Sequence, residues 1–169
     1  MEASSPATTS APSSADTVTV GSSTVVVKWS SSKAGTLECF RKVWSQKQGE
    51  HVQRLGDVDF RICSLGEWET WDYLRPAKPN LDASALCVAL NHIENDVRYI
   101  PGTGAACVYM LACLAEQKHI DHIIVWSSVP DAVGFYEKMG FAKFSNLCDD
   151  MYGVTATVKQ KSYASASTK

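Results

Sequence analysis

The feature that most constrains the fold of this chain is a pair of apolar segments separated by a turn with two glycines. The first segment, SALCVALNHIE (84–94), is long, apolar and β-compatible, which predicts a central strand. The second, AACVYMLACLAEQKH (105–119), consists of good helix formers with an apolar stripe, which predicts a helix. A buried strand that leads directly into such a helix is typical of an α/β domain.

The turn between these segments, RYIPGTGAA (98–106), is compatible with a backbone anion site. Gly102 and Gly104 permit positive φ and let a ligand approach the backbone closely. The amides at the start of the following helix would face that ligand, and the helix dipole favours an anion there. The turn lacks the Lys-Ser/Thr pair of a Walker A loop and does not complete G-x-G-x-x-G. The glycines alone therefore leave two interpretations open, a tight turn and a phosphate-binding loop.

The rest of the chain shows both strand and helix patterns. TVVVKW (24–29) is short and β-branched and predicts a strand. Segment 33–48 has apolar residues at helical spacing and predicts a helix. Segment 67–82 is rich in Trp and Tyr and is broken by prolines, so a short strand and a surface loop are both open. Further strands are predicted at 58–65, 121–128, 141–144 and 151–160, and a further helix at 129–140.

Composition divides the chain into one domain and two tails. Residues 1–23 are almost entirely Ser, Thr, Ala and Pro, which bury too little apolar surface to offset the entropy of ordering, so a disordered tail is predicted. Residues 161–169 predict a flexible tail for the same reason. The remaining residues, 24–160, have the size of a single domain.

Charge and cysteine usage limit the classes of partner and compartment. A net charge of −2 argues against a large basic surface, so we expect no nucleic-acid partner. Because no apolar run approaches the ~18 residues of a membrane span, we expect no membrane partner either. The six cysteines form no C-x-x-C pair and several lie in apolar runs, which predicts buried free thiols, a cytoplasmic location and no metal site.

A second motif follows about 28 residues after the glycine turn, in AVGFYEKMGFAKF (132–144). Tyr136 lies near the middle of a short amphipathic helix, with Phe135 and Met139 on a common flank. Gly140 ends this helix and turns the chain into a strand. Taken alone, Tyr136 is compatible with an ordinary core aromatic residue whose hydroxyl reaches the surface.

Together, the two motifs resemble the GNAT superfamily of acyl-CoA-dependent N-acyltransferases. That family's helix-opening loop reads R/Q-x-x-G-x-G/A, and its later helix reads approximately A-x-x-F/L-Y-E-K-x-G-F. The resemblance covers about residues 84–145 and includes the interval between the motifs. Two departures stand out: Tyr99 occupies the family's Arg/Gln position, with Arg98 one place earlier, and Val129 stands where Asn is frequent.

The resemblance implies an α/β fold, a single-domain GNAT-like fold with a mixed, mostly antiparallel central sheet flanked by helices. It further implies a V-shaped opening between the strand at 84–94 and the strand at 121–128. Acetyl-CoA would lie in this opening as a co-substrate, with its pyrophosphate on the glycine turn. The residues expected to contact it are Ile93, Glu94, Arg98, Tyr99, Gly102, Thr103, Gly104 and Ala105.

The implied reaction is direct attack of a primary amine on the thioester, without a metal. Tyr136 is the candidate general acid for the departing thiolate, because a phenol with pKa ~10 is matched to a thiol. His92 and Glu94 are two residues apart on a strand and so point to the same face, where either is a candidate base acting through water. The alternative is that both are polar residues at a strand end.

The acceptor amine is left open between a small molecule and a protein amine, as is a homodimer. The acceptor side of the cleft is expected to comprise the helix at 33–48, the Trp-rich segment and the loop at 146–152. Trp68, Trp71 and Tyr73 are compatible with an aromatic wall there, and equally with core packing. Asp149 and Asp150 are compatible with a site for a cationic acceptor or with a solvated loop.

Two other classes compete with the enzyme interpretation. One is a catalytically inactive GNAT-like module that binds CoA or a protein. The other is a glyoxalase-like metal enzyme, in which FYEKMGF also occurs and His122 would be a metal ligand; too few residues follow Phe141 to complete its strands. For the favoured interpretation, a bulky replacement of Gly104 is expected to abolish cofactor binding and leave the fold intact.

Overall fold

The computed structural model describes residues 16–68, 70–91, 94–95, 102–126, 128, 130–143, 145 and 148–168, with only the backbone of residues 94–95. Strands and helices alternate only in the second half of these residues. The strands are β1 (Thr17–Val20), β2 (Ser23–Ser31), β3 (Ala34–Ser45), β4 (Gly49–Ser64), β5 (Leu86–Leu90), β6 (Glu94–Asn95), β7 (His122–Val125), β8 (Ala142–Lys143) and β9 (Met151–Val154). The helices are α1 (Thr70–Ala77), α2 (Thr103–Gln117), α3 (Val133–Lys138) and α4 (Thr155–Ser167), with 3-10 turns at 65–67 and 130–132.

All the strands belong to one mixed sheet. Its order is β1-β2-β3-β4-β5-β7-β9-β8, and the short β6 pairs with β4. The pairing of β5 with β7 is parallel, and the other described pairings are antiparallel. The α/β class with a mixed, mostly antiparallel sheet is thus confirmed.

Helices cover the two faces of this sheet unequally. Because side chains alternate along a strand, Val88 of β5 packs into the larger core and its neighbour Ala89 packs into the smaller one. Helices α2, α3 and α4 contribute to the larger core, whereas α1 contributes Leu74 to the smaller one. Among the residues that the structure describes, no helix packs on the second face of β2 and β3. We call the two sides of the sheet the packed face and the open face.

The helix predicted at 33–48 is wrong, because this segment forms β3 in a long hairpin with β4. Leu37 and Cys39 are fully buried, and the residues between and beside them are half-buried, a period of two rather than 3.6. Gly35 supports the strand pairing, since a Cβ there would lie 2.6 Å from the carbonyl oxygen of Lys28. The acceptor-side helix that this segment was expected to supply does not exist.

The chain ends also differ from the prediction. β1 lies inside the predicted 1–23 tail, because its alternating TVTV segment pairs with β2; residues 1–15 lie outside the described residues. The strand predicted at 151–160 ends at Val154, and α4 continues through most of the predicted 161–169 tail. Thr155 starts α4 by donating its hydroxyl to the carbonyl of Ile120 at 2.7 Å.

The packing of α4 explains why its polar sequence is helical. Val158, Ser162 and Ala166 recur every four residues and are buried against α2 and the packed face. The undecided segment 67–82 is likewise a helix in part, since α1 buries Thr70 and Leu74 one turn apart. Both helices depend on a tertiary surface that receives their few apolar residues.

Candidate active site

The parallel strands β5 and β7 stop pairing where the predicted opening lies. Their register runs from Cys87↔His122 to Leu90↔Val125, and the N–H of Trp126 donates to the carbonyl of Leu90 at 3.2 Å. Beyond this point the chain after Leu90 stays with β4 instead, because Asn91 N–H donates to the carbonyl of Asp59 at 3.0 Å. Within the described ranges, the β5–β7 ladder therefore ends at Leu90 while the same chain continues along β4.

The pairing with β4 changes register just after this point. Phe60 pairs with Leu90, and Asp57 pairs with Glu94. Two residues of β4 thus correspond to three residues of the partner chain, a one-residue shift of the kind that a β-bulge produces. Such a shift redirects side chains and is common beside functional sites.

The glycine turn forms the start of α2. Gly102 is the N-cap residue, with φ 95° and ψ −16°, a left-handed conformation that glycine adopts without strain. The first helical hydrogen bond runs from Ala106 N–H to the Gly102 carbonyl at 2.9 Å, so the amides of Gly104 and Ala105 point out of the helix end. The first turn holds no acidic side chain that would repel an anion. Thr103, also predicted to contact the cofactor, is fully buried.

Gly104 has a packing role that the sequence motif did not reveal. A Cβ on Gly104 would lie 2.8 Å from Cζ of Phe135, so the missing side chain lets the α3 ring pack on the first turn of α2. This contact joins the two sequence motifs physically. It also corrects the expectation for a bulky residue at Gly104, because such a residue would displace Phe135 and perturb the fold itself.

Tyr136 lies in the larger core, with only 2% of its surface exposed. Its ring meets Phe135 edge-on at a centroid distance of 5.0 Å and Phe141 at 5.8 Å. Through Phe135, Tyr136 is tied to the first turn of α2. The structure therefore brings the candidate acid close to the predicted cofactor loop and surrounds its ring with apolar side chains.

Several predicted site residues are not among the residues that the structure describes. His92, Ile93, Arg98, Tyr99 and Val129 lie outside the described residues, and of Glu94 only the backbone pairing with Asp57 is described. The roles of these residues as candidate base or as cofactor contacts stay predictions, and so does the effect of Val129 at the position where Asn is frequent.

On the open face, an arginine and two tryptophans form a stack beside the end of the β5–β7 ladder. The rings of Trp68 and Trp126 are stacked, with centroids 5.3 Å apart and an interplanar angle of 21°. Cζ of Arg61 lies 4.5 Å from the Trp68 ring and 5.9 Å from the Trp126 ring. We call these three residues the indole platform. The sequence pattern indicated Trp68 as a residue of an aromatic wall on the acceptor side. It did not indicate Arg61 or Trp126, although the alternation of side chains along their strands could have placed both on this face.

The thiol of Cys63 holds the indole platform in place through a hydrogen bond with Trp68. Trp68 donates its Nε1–H to Cys63 Sγ at 3.1 Å, and Cys87 Sγ lies 3.9 Å from Cys63 Sγ. The hydrogen bond from Cys87, aided by that from Trp68, lowers the pKa of Cys63 to about 7. All six cysteines are free thiols, as their distribution predicted.

The other residues considered for the acceptor side are held by local contacts. Asp150 Oδ2 accepts a hydrogen bond from the Thr70 hydroxyl at 2.7 Å, and the Asp149 carbonyl accepts one from the Ser128 hydroxyl at 2.6 Å. These bonds fix the acidic loop to α1 and to the chain just beyond β7. Trp71 packs against the smaller core, and Tyr73 is half-buried.

The described ranges contain no group of three or more His, Cys, Asp or Glu side chains that could hold a metal ion. His122, the candidate ligand in the glyoxalase-like alternative, has its Nδ1 2.8 Å from the Tyr152 hydroxyl. In the same part of the chain, no helix is long and apolar enough to cross a membrane.

Comparison with known proteins gives matches in structure only. No protein-family profile and no curated protein matches the chain. KacT, solved as a tyrosine-to-phenylalanine mutant, matches with a TM-score of 0.50 and 14% identity, over 75% of this chain and 74% of that chain. FeeM, an N-acyl amino acid synthase from uncultured soil microbes, matches with a TM-score of 0.52 and 15% identity, over 78% of this chain and 72% of that chain.

One further match corrects a prediction. The KacTA–DNA complex matches over 77% of this chain and 73% of that chain, at 14% identity and a TM-score of 0.49. An assembly with this type of fold can therefore include DNA, and the exclusion of nucleic acid from the net charge was wrong.

KacT is a GNAT-type acetyltransferase toxin and FeeM is an N-acyl amino acid synthase, and the α/β fold of this chain is similar to both. The predicted opening, the glycine N-cap of α2 and the α3 motif occupy neighbouring positions in that arrangement. Among the residues described after Phe141, the structure has the short strands β8 and β9 and then the helix α4, which differs from the run of strands in the glyoxalase-like alternative. The chain has a GNAT-like fold.

Proposed function

We propose that the chain is an N-acetyltransferase that transfers the acetyl group of acetyl-CoA to a primary amine by direct attack. The observation that supports this most strongly is the end of the β5–β7 ladder at Leu90, which precedes the glycine-capped start of α2 in the chain with only β6 between them among the described elements. A gap between two parallel strands accommodates the extended arm of the cofactor. The helix start beside it supplies backbone donors for the pyrophosphate.

The start of α2 suits the charge of acetyl-CoA. The positive end of the helix dipole stabilises an anion, and the first turn has no carboxylate that would oppose it. Gly102, Gly104 and Ala105 have no side chain larger than a methyl group; Gly104 is half-buried, whereas Gly102 and Ala105 are buried. Arg98, Tyr99, Ile93 and Glu94 complete the proposed set of cofactor contacts.

The proposed reaction forms one C–N bond and breaks one C–S bond. The amine nitrogen attacks the thioester carbonyl, the tetrahedral intermediate collapses, and CoA leaves as a thiolate that takes a proton from the Tyr136 hydroxyl. The amine loses its proton to His92 or Glu94, directly or through water. The apolar packing around Tyr136 supports this role, because it holds the ring in one orientation and keeps bulk water away.

Calorimetric titration of the full chain with acetyl-CoA and with dephospho-CoA tests the cofactor assignment. We expect heat of binding and a thermal shift with acetyl-CoA, because a ligand that binds only the folded state stabilises it. The absence of both signals with both compounds would exclude the proposed function. Release of free thiol in the presence of an amine panel then measures transfer.

Substitution of Tyr136 by Phe tests the acid. We expect kcat to fall by about 100-fold to 10,000-fold, the usual contribution of general acid–base catalysis, with the Kd for acetyl-CoA unchanged. Tyr163→Phe is the matched control, since Tyr163 lies on α4 with 51% of its surface exposed. If Tyr136→Phe turned over as fast as the control, Tyr136 would be a core residue only.

A further inference from the structure

The indole platform lies beside the opening on the side opposite α2. Arg61 pairs with Ala89, and Ala89 pairs with Ile124, so all three lie side by side across the sheet. Trp126 follows Ile124 by two residues and shares its face. Ala89 precedes the last paired residue of β5 by one position, about 3.4 Å along the strand. The platform is thus within the length of a small molecule of the point where the strands stop pairing.

Contacts within the platform fix its geometry. The hydrogen bond from Trp68 Nε1 to Cys63 holds one indole, and stacking holds Trp126 against it. The guanidinium of Arg61 lies over these rings, where a cation is attracted by the π-face. A charge held in this way loses little further freedom when it binds a ligand.

Among the residues that the structure describes, the charge of Arg61 acts at a distance on Glu67, whose pKa it helps to lower, but is not held in an ion pair. Arg61 is exposed and forms no ion pair among them, whereas Arg54 on the same strand pairs with both Glu38 and Asp57. The carboxylates nearest to Arg61 along the chain make their hydrogen bonds with other partners. Asp59 accepts a hydrogen bond from the Thr36 hydroxyl, and Glu67 accepts one from the backbone of Ser64.

Stacking uses the faces of a guanidinium and leaves its N–H edges available. Five N–H donors in a rigid fork match a carboxylate, which accepts two parallel hydrogen bonds. We propose that Arg61 binds the carboxylate of the acceptor, and that the acceptor is an amino acid whose amine reaches the opening. This inference rests on the proposed function, since it names the substrate of the same site.

The test compares amino acids with their own carboxamides as acceptors, at saturating acetyl-CoA. The full-length protein should acetylate the acids with a kcat/KM at least about 10-fold above that of the amides, the effect of one charge-assisted hydrogen bond. In Arg61→Gln, kcat/KM should fall about 10-fold to 100-fold for the acids and stay unchanged for the amides. Arg61→Lys keeps the charge but loses the fork, and should be intermediate.

Lys47→Gln is the matched control, because it removes the same charge from the turn between β3 and β4. It should leave the preference for the acids unchanged. Equilibrium binding of N-acetyl amino acids, followed by tryptophan fluorescence, adds a readout that does not require turnover. The unsubstituted protein should bind these compounds, and Arg61→Gln should bind them about 10-fold more weakly.

The outcomes separate the two proposals. If amines are acetylated but acids and amides react equally, and Arg61→Gln changes neither, the carboxylate site is excluded and the acetyltransferase remains. If acetyl-CoA does not bind and no amine is acetylated, the proposed function fails, and the assignment of an acceptor fails with it.

Discussion

The packed face and the open face of the sheet teach different lessons about this chain. The packed face buries Leu37, Met110 and Tyr136 under three helices, and it contains the fold motifs that resemble a known family. The open face carries charged and half-buried residues on β2, β3 and β4, with α1 at one end only. In the proposed function, the sheet would separate cofactor binding from acceptor recognition, with the end of the β5–β7 ladder between them.

The open face is stabilised by charge pairs where helices are lacking. Glu38 Oε1 forms an ion pair with Lys28 Nζ at 2.7 Å, Glu38 Oε2 accepts a hydrogen bond from Arg54 Nε at 2.9 Å, and Arg54 also pairs with Asp57. Half-exposed pairs of this kind contribute little each, about 0 to 1 kcal/mol. Stability should therefore depend mainly on the packed face, and chemical specificity on the open face.

The largest expected effect is on the packed face. Leu37→Ala removes a fully buried side chain from the larger core and should lower the free energy of unfolding by about 2–5 kcal/mol. Leu86→Ala is the matched control, since Leu86 is a strand leucine with 48% of its surface exposed, and its change should stay below about 1 kcal/mol. Urea denaturation measures both. Equal losses would contradict the assignment of Leu37 to the stabilising core of the packed face.

The next effect tests the contact that joins the two motifs. Gly104→Ala should lower the free energy of unfolding by about 1–3 kcal/mol, because the added Cβ meets the Phe135 ring at 2.8 Å. Gly134→Ala, at a site on α3 with open space around its Cβ, should be neutral or stabilising by up to about 1 kcal/mol.

A compensating change separates packing from cofactor binding at Gly104. Combining Gly104→Ala with Phe135→Leu should restore part of the lost stability, in a double-mutant cycle followed by urea denaturation. If the two losses simply add, Gly104 does not act through Phe135. Acetyl-CoA affinity of the double variant then reports the role of the turn itself.

The smallest effect concerns the charge pairs of the open face. Hydrogen bonds from Lys28 and then Arg54 lower the pKa of Glu38 below its ordinary value of 4.5. A carboxyl whose pKa is lower in the folded state stabilises the fold above its unfolded pKa, and that contribution disappears as the pH falls through the folded value. Glu38→Gln should therefore lower stability by up to about 1 kcal/mol at pH 7 and have less effect at pH 3. Urea denaturation measures the difference in the free energy of unfolding between the unsubstituted protein and Glu38→Gln. If this difference were the same at pH 7 and at pH 3, the charge of Glu38 would not contribute to stability.

The candidate site was predictable where a motif is local. The glycine turn and AVGFYEKMGF (132–141) predicted a helix start and a short helix, and both lie where expected. The contact of Gly104 with Phe135 was not predictable, since it joins residues about 30 positions apart and depends on how two helices pack. The indole platform was missed for the same reason, because Arg61, Trp68 and Trp126 come from three separate segments.

Periodicity was a reliable guide only where a single face of an element is buried. In β3, Leu37 and Phe40 lie on opposite faces of the strand, but their three-residue separation is also the spacing of an amphipathic helix. The pairing of β3 with β2 and β4 shows that the segment is a strand. In α4 the residues Thr, Ala, Ser and Lys give almost no amphipathic pattern, so a strand and a tail were predicted. Contact with α2 decides that segment, since a short helix is marginal without a packing partner.

The sequence by itself determined the α/β class, the central strand, and the glycine-capped helix with its downstream motif, because these depend on residues close together in the chain. Tertiary structure decided that β5 parts from β7 while the chain continues on β4. It also decided that α4 covers α2 and that Arg61 meets two indoles. Local patterns encode propensity, whereas strand partners and contacts between segments are selected by the free energy of burying the whole chain at once.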